Sequence, residues 1–226
     1  MKVGRWRTWF FAALASLSAV LPAQANVIDF EDVLPTLFQG TAIASRGFDF
    51  TSDGSGFSGV DIAGAFVFGN APANADGQFL FMLNGDGMLM RPSNGQLMVL
   101  SSFEASFIAP LGGLGSGILP GELHVFGLKV DGGLVVDDFS FTASDTNGDF
   151  AFSSFGAGAL SGMLLQQVFF AACVYDGNGC SFSPLQLTPP QFALDNINAQ
   201  IPEPASVMLV ILALGAAGAS ARRRIR

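Results

Sequence analysis

Short apolar segments recur along the middle of the chain, each cut off by Gly, Asn, Asp or Pro. They are Val27 to Phe30, Gly47 to Thr51, Phe66 to Phe68, Phe79 to Leu83, Leu97 to Ile108, Leu123 to Val130, Leu134 to Thr142, Phe150 to Phe155, Leu164 to Ala172 and Gln191 to Ala199. Runs of this kind, rich in Phe, Val, Leu and Thr and punctuated by turn residues, predict the strands of an antiparallel sandwich or barrel. Leu123 to Val130 passes through Asp131-Gly132-Gly133 into Leu134-Val135-Val136. That pattern predicts a hairpin whose Asp-Gly supplies the positive φ of the turn. Between the termini no segment carries a helical period with caps; Ala157 to Gln167 comes nearest, and its glycines weaken it. Asn70 to Gly77 and Leu111 to Pro120 read as long loops of one domain, with linkers between two domains as the alternative. No repeat of fixed period is present.

The two ends follow a different pattern. Lys2, Arg5 and Arg7 precede an apolar stretch from Trp9 to Leu21, and Ala23-Gln24-Ala25 supplies a small-x-small cleavage site. These parts make residues 1–25 a secretory signal peptide, the substrate of signal peptidase, and start the mature chain at Asn26. Trp6 separates the arginines, so general secretion is expected rather than the twin-arginine route. At the other end Pro202-Glu203-Pro204 is followed by an apolar run of 17 residues, Ala205 to Ala221, and then by Arg222, Arg223, Arg224 and Arg226. A membrane helix needs about 20 residues, with about 17 as the lower limit. Ala205 to Ala221 is therefore a marginal transmembrane helix, rich in small residues. The arginines favour the cytoplasmic side, which places Pro202 outside and makes the preceding domain an exported one. The prolines hold Ile201 to Pro204 extended and open to a protease. Residues 201–226 resemble the PEP-CTERM sorting signal of Gram-negative bacteria, which is read and cleaved by an exosortase. A plain membrane anchor would account for the apolar run and the arginines but not for Pro-Glu-Pro.

The part left to fold, residues 26–200, is long enough for one domain. It keeps three basic residues (Arg46, Arg91, Lys129) against seventeen acids, a net charge of −14. A chain so acidic is repelled by nucleic acid and by anionic lipid surfaces. It attracts divalent cations or stays soluble in a salty matrix. Cys173 and Cys180 flank Val-Tyr-Asp-Gly-Asn-Gly, and an isolated pair in an exported protein predicts a disulfide. Structural zinc uses four Cys or His ligands, and the chain has a single histidine, His124. A zinc site is not expected.

Catalysis finds little support. His124 lies in an alternating strand without a recognisable motif and reads as a packing residue. Asp137 and Asp138 are strand neighbours, so they point to opposite faces and do not converge on one glycosidic bond. Gly112-Gly-Leu-Gly-Ser-Gly117 lacks the lysine of a phosphate-binding loop. The protein is not expected to be an enzyme.

Asn26-Val-Ile-Asp-Phe-Glu-Asp-Val33, Phe103 to Phe107, His124 to Leu134 and Phe192-Ala-Leu-Asp-Asn-Ile197 resemble the jelly-roll sandwich often found ahead of PEP-CTERM signals, which is similar to carbohydrate-binding modules. The fold implied is all-β, an antiparallel jelly-roll-like β-sandwich with a signal peptide before it and a transmembrane helix after it. The resemblance further implies a structural calcium shared by the first and last strands, at positions matching Asp29, Glu31 and Asp195. Calcium takes several hard oxygen ligands, and strand alternation puts Asp29 and Glu31 on one face with Phe30 on the other; the alternative is that these acids are solvated strand ends. Asp145-Thr-Asn-Gly-Asp149 begins like a calcium loop, but Phe150 stands where glycine belongs and Gly156 where the bidentate Glu belongs. An ordinary turn is expected there. Both tryptophans fall in the signal peptide, leaving Tyr175 and many phenylalanines, residues more often found in a sandwich core than on a sugar platform. The function expected is that of an exported, exosortase-processed structural or adhesive protein, placed across the inner membrane and then at the cell surface or in an exopolysaccharide or biofilm matrix. A calcium-dependent carbohydrate-binding module is the alternative, with extracellular polysaccharide as partner.

Overall fold

In the computed structural model, which describes residues 26–175, 179–182 and 189–202, the apolar segments become strands because each has one side to bury. In chain order they are β1 (Asn26–Ile28), β2 (Thr36–Phe38), β3 (Ala42–Ser45), β4 (Phe48–Ser52), β5 (Phe57–Ile62), β6 (Gln78–Leu83) and β7 (Met88–Pro92). The second half contributes β8 (Val99–Phe107), β9 (Gly121–Lys129), β10 (Leu134–Ser140), β11 (Ser153–Gly156), β12 (Leu165–Tyr175), β13 (Cys180–Ser181) and β14 (Phe192–Gln200). All their pairings are antiparallel. One sheet runs β11-β8-β14-β6-β5-β2, with β1 also beside β14; the other runs β10-β9-β12-β7-β4-β3, with β13 also beside β12. The architecture is the expected one, an all-β antiparallel two-sheet sandwich. Ala25–Ile201 forms one compact unit, and Asn70 to Gly77 and Leu111 to Pro120 are loops within it.

Alternation builds the space between the sheets. On β9, Leu123 and Val125 are buried while Glu122, His124 and Phe126 lie on the other face. Phe103 of β8 meets Phe170 of β12 edge to face at 5.6 Å, and Phe107 meets Phe150 at 5.1 Å. Truncating an aromatic such as Phe103 to Ala in a close-packed core costs about 3–5 kcal/mol. The first and last strands are neighbours: Asn26 pairs with Ala199 and Ile28 with Ile197.

Two expectations need correction. β1 stops at Ile28 rather than Phe30, because Phe30 takes φ 58° and turns the chain inward, where its ring packs on Phe50 at 5.1 Å. Phe66 to Phe68 is a loop segment rather than a strand. It is apolar because Phe66 covers Phe79 and Phe81 at 5.3 and 5.1 Å, and Phe68 stacks on Phe81 at 5.7 Å, forming a second, smaller core on the outer face of the β6 sheet. Ala157 to Gln167 forms no α-helix, as expected, and holds only one 3-10 turn, Gly158–Leu160, before β12 begins. Short strands without a strong apolar run, β2, β3, β5, β7 and β13, were not legible. Among the described residues no helix is long and apolar enough to cross a membrane. The signal peptide, the tail from Glu203 to Arg226 and the turn at Asp176-Gly177-Asn178 lie outside the described residues.

Candidate functional site

Of the three acids matched to a shared calcium, the fold brings Asp29 and Asp195 into one electrostatic neighbourhood. Asp195 sits in the last strand at a β-bulge, where the register with β8 shifts and Asn196 takes φ 46°. Its side chain shares the outer face of the sheet with Ala193 and lies directly across from Glu104. Like charges opposite each other in a sheet repel. Burial, reinforced by Glu104, Asp29 and Asp76 and only partly offset by the Asn196 amide, pushes the Asp195 carboxyl up to about 7. Desolvation and neighbouring negative charge act in the same direction on an acid. The four acids share one negative neighbourhood, but Asp29 is paired with Arg46 and, among the described residues, no three of them gather as metal-ligating groups.

The partners of the other acids are defined. Asp29 makes an ion pair with Arg46 at 3.1 Å. Glu31 is not on a shared strand face with Asp29, since the chain has turned at Phe30; it accepts the Gln78 amide at 2.8 Å and the Gln78 side chain at 3.2 Å. Gln78 in turn lies two residues along the chain from Asp76. Glu104 accepts from Asn196 Nδ2 at 3.0 Å and from Ser154 Oγ at 2.8 Å. Asp76 and Glu104 are not among the three acids matched to a shared calcium and enter only through the topology that sets β8 and β6 on either side of β14.

The 145–149 loop behaves as a turn. Asp145 Oδ1 accepts the amides of Asn147 at 2.7 Å and Asp149 at 3.0 Å. These bonds, that of the Asp149 amide foremost, hold the Asp145 carboxyl below its usual range. Asp149 in turn accepts from Asn70 Nδ2. A third acid, Asp86, is buried in the turn before β7, takes hydrogen bonds from Ser52 Oγ at 2.6 Å and from Ser58 Oγ, and has its carboxyl pushed up by burial and by Asp53. It ties β4, β5 and the 84–87 turn together.

On the outer face of the second sheet the disulfide expected from the sequence is formed: Cys173 and Cys180 are bonded, with Cα atoms 5.3 Å apart. His124 is more than a packing residue. Its Nδ1 lies 2.5 Å from Asp138 Oδ1 and its Nε2 2.8 Å from Cys173 Sγ. Its ring neighbours Phe126 and Phe182, with centroids at 6.3 and 5.0 Å. Glu122 accepts the Tyr175 hydroxyl at 2.6 Å. One atom each from Glu122, His124, Cys173 and Cys180 lie within 4.8 Å of one another. Gly121 lets β9 come this close to β12: at its φ of 156° a Cβ would sit 1.9 Å from the Cys173 carbonyl. Asp137 and Asp138 diverge as alternation requires, Asp137 accepting the Ala159 amide at 2.7 Å while Asp138 faces His124.

A shallow groove of about 240 Å³ opens over β2 and β5, with Leu37 and Phe68 as its apolar walls and Thr36 and Asp61 at its polar edge. Leu37 and Phe68 are exposed.

Residues 200–224 match the PEP-CTERM protein-sorting motif. The chain therefore carries a signal for export and membrane-associated processing, and the motif begins at the last residue of β14. No curated protein matches the chain. Similar solved structures include a family 29 carbohydrate-binding module, at 8% identity over 74% of this chain and 86% of that one, TM-score 0.29. The tandem family 22 modules of Paenibacillus barcinonensis Xyn10C are 13% identical over 82% of this chain and 50% of that one, TM-score 0.38. The enzymatically active domain of tailspike protein 4 of bacteriophage CBA120 is 9% identical over 70% of this chain and 20% of that one, TM-score 0.29. At these scores the likeness adds nothing to the two-sheet architecture already described.

Proposed function

We propose that the chain is an exported β-sandwich, processed by an exosortase, that serves a structural or adhesive role at the cell surface or in an extracellular polysaccharide matrix. The observation that carries this reading is the sorting motif placed at the end of a closed domain: β14, an inner strand of its sheet, ends at Gln200, and the motif starts there. Cleavage near Pro202 to Pro204 then frees the whole sandwich without cutting a strand. The net charge of −14 left after processing supports a role in a hydrated, cation-rich matrix and argues against nucleic acid as partner. Intact-mass measurement on protein from the native host tests it. The mature species should start near Asn26 and end near Pro204; one that retains Arg222 to Arg226 would leave only a membrane anchor.

A second reading, a calcium-dependent carbohydrate-binding module, is favoured by the acids around Asp195 and by the Leu37–Phe68 groove. An exposed apolar wall beside a carboxylate and a hydroxyl suits one face of a sugar ring. A glycan array run with calcium and with chelator separates the two readings: glycan binding supports the module, and loss of that binding on chelation supports its calcium dependence.

A further inference from the structure

We propose that Cys173, Cys180, His124 and Glu122 form a redox-gated site for a divalent transition metal of the zinc type, closed while the disulfide is intact and open once it is reduced. The proposal does not rest on the polysaccharide reading. Glu122 and His124 are alternate residues of β9 and so project from one face. Cys173 lies directly across from Glu122 on β12, and the β12–β13 pairing sets Cys180 opposite Tyr175. Two sulfurs, one imidazole nitrogen and one carboxylate oxygen are thereby gathered within 4.8 Å of one another. Two thiolates, an imidazole and a carboxylate suit a tetrahedral zinc-type ion, which tolerates a carboxylate in place of a fourth Cys or His.

The orientation of His124 argues for a ligand rather than a spacer. Asp138 holds Nδ1, which leaves Nε2 directed at the sulfur. A carboxylate on the far nitrogen of an imidazole is the arrangement that fixes a metal-binding histidine. Phe126 and Phe182 pack against the ring. A zinc-type ion about 2.3 Å from each sulfur keeps the two about 3.8 Å apart, a separation that Cα atoms 5.3 Å apart allow.

The opening step balances with a dithiol as reductant. One thiolate of the dithiol attacks Cys180 Sγ, the more exposed of the two sulfurs, and Cys173 leaves as a thiolate beside His124 Nε2. The second thiol of the reductant then displaces Cys180, giving two protein thiols and an oxidised reductant. Metal binding releases their two protons. In the reverse direction a disulfide oxidant takes two electrons from the bound thiolates, the Cys173–Cys180 bond re-forms, two protons go to the oxidant's thiols and the metal ion is discharged.

The test uses the full-length chain, reduced with a phosphine, freed of reductant and titrated with cobalt(II) under anaerobic conditions. One equivalent should bind, with the sulfur-to-cobalt charge-transfer band and the intense d–d bands of a tetrahedral ion, and the disulfide form should show neither. His124→Ala and Glu122→Gln should each weaken binding at least tenfold, about the loss seen for a ligand or its support. Asp138→Asn, a positioning change, should weaken it about 10- to 100-fold with the same d–d bands. A disulfide oxidant should release the cobalt. The proposal is overturned if the reduced chain shows no thiolate band, or if neither His124→Ala nor Glu122→Gln affects the band, which marks a bare dithiol. It also falls if circular dichroism shows that reduction unfolds the sandwich, since the bond is then only a staple.

Discussion

Asp195 and Asp145 both lie in acid-rich stretches that a calcium motif search would mark, yet the fold gives them opposite environments. At the bulge of β14, Asp195 is buried across from Glu104 and near Asp29 and Asp76, and its carboxyl is raised to about 7. In the 145–149 loop, Asp145 stands in water and receives backbone amides, and its carboxyl is lowered. The difference lies first in burial and then in the supply of donors. An exposed carboxylate that accepts several N–H groups is already satisfied as an anion, whereas a buried one with a single amide donor and other carboxylates around it is not. The second kind is the better candidate for a cation, whatever the local motif suggests.

The largest effect that separates the two sites should be the pH response of Asp195→Asn. Because the folded value is raised from 3.8 to about 7, the native state binds the extra proton and stability falls as pH rises between those values. The penalty is absent below about pH 4 and complete above about pH 7. In calcium-free buffer at pH 8 the Asn variant should therefore be more stable than the parent by on the order of 3 kcal/mol, with no gain at pH 3.5. Urea titrations at the two pH values measure it; equal differences at both would show that the fold does not raise the Asp195 carboxyl.

Calcium comes next. An ion bound only by the folded state stabilises it by about 2.7 kcal/mol at a hundredfold excess over its dissociation constant. Melting curves should shift upward with calcium, and Asp195→Ala should abolish the shift while Asp149→Ala leaves it. Identical curves with calcium and with chelator would remove the shared ion.

Replacing both Cys173 and Cys180 by Ser should cost about 2 kcal/mol or less, because a loop closed over so few residues restrains the unfolded chain only modestly. That loss should be the same with and without calcium, since the bond lies on the outer face of the other sheet. Coupling between the two changes would mean that the sites communicate.

The smallest effect is expected from Asp145→Ala. Its lowered carboxyl contributes stability above the unfolded value that fades as pH falls through the folded one, so the variant should lose a little stability at neutral pH, nothing at low pH, and no calcium response in particular. A calcium-dependent loss would restore the loop as a binding site.

Much of this molecule is legible in its order of residues. Alternating apolar runs set one face of each long strand, so β8, β9, β12 and β14 and the two-sheet class follow from local pattern. The sorting signal is likewise linear: a protease and a membrane read Pro-Glu-Pro, an apolar run and arginines in sequence. The isolated cysteine pair was close enough in the chain for its bond to be read directly. Short strands such as β2 and β3 were hidden because their partners, not their own side chains, make them strands. The sites were hidden for the same reason. Nothing local places Glu104 and Asp76 beside Asp195, or Asp138 and Glu122 around His124 and the sulfurs; those neighbours lie on strands far apart in the chain. Whether an aspartate is a solvated anion or a strained acid, and whether a histidine is filler or a ligand, depends on the field of groups brought in by sheet pairing. Sequence determined which residues face which side of each strand, and only the tertiary structure decided which of those faces meet.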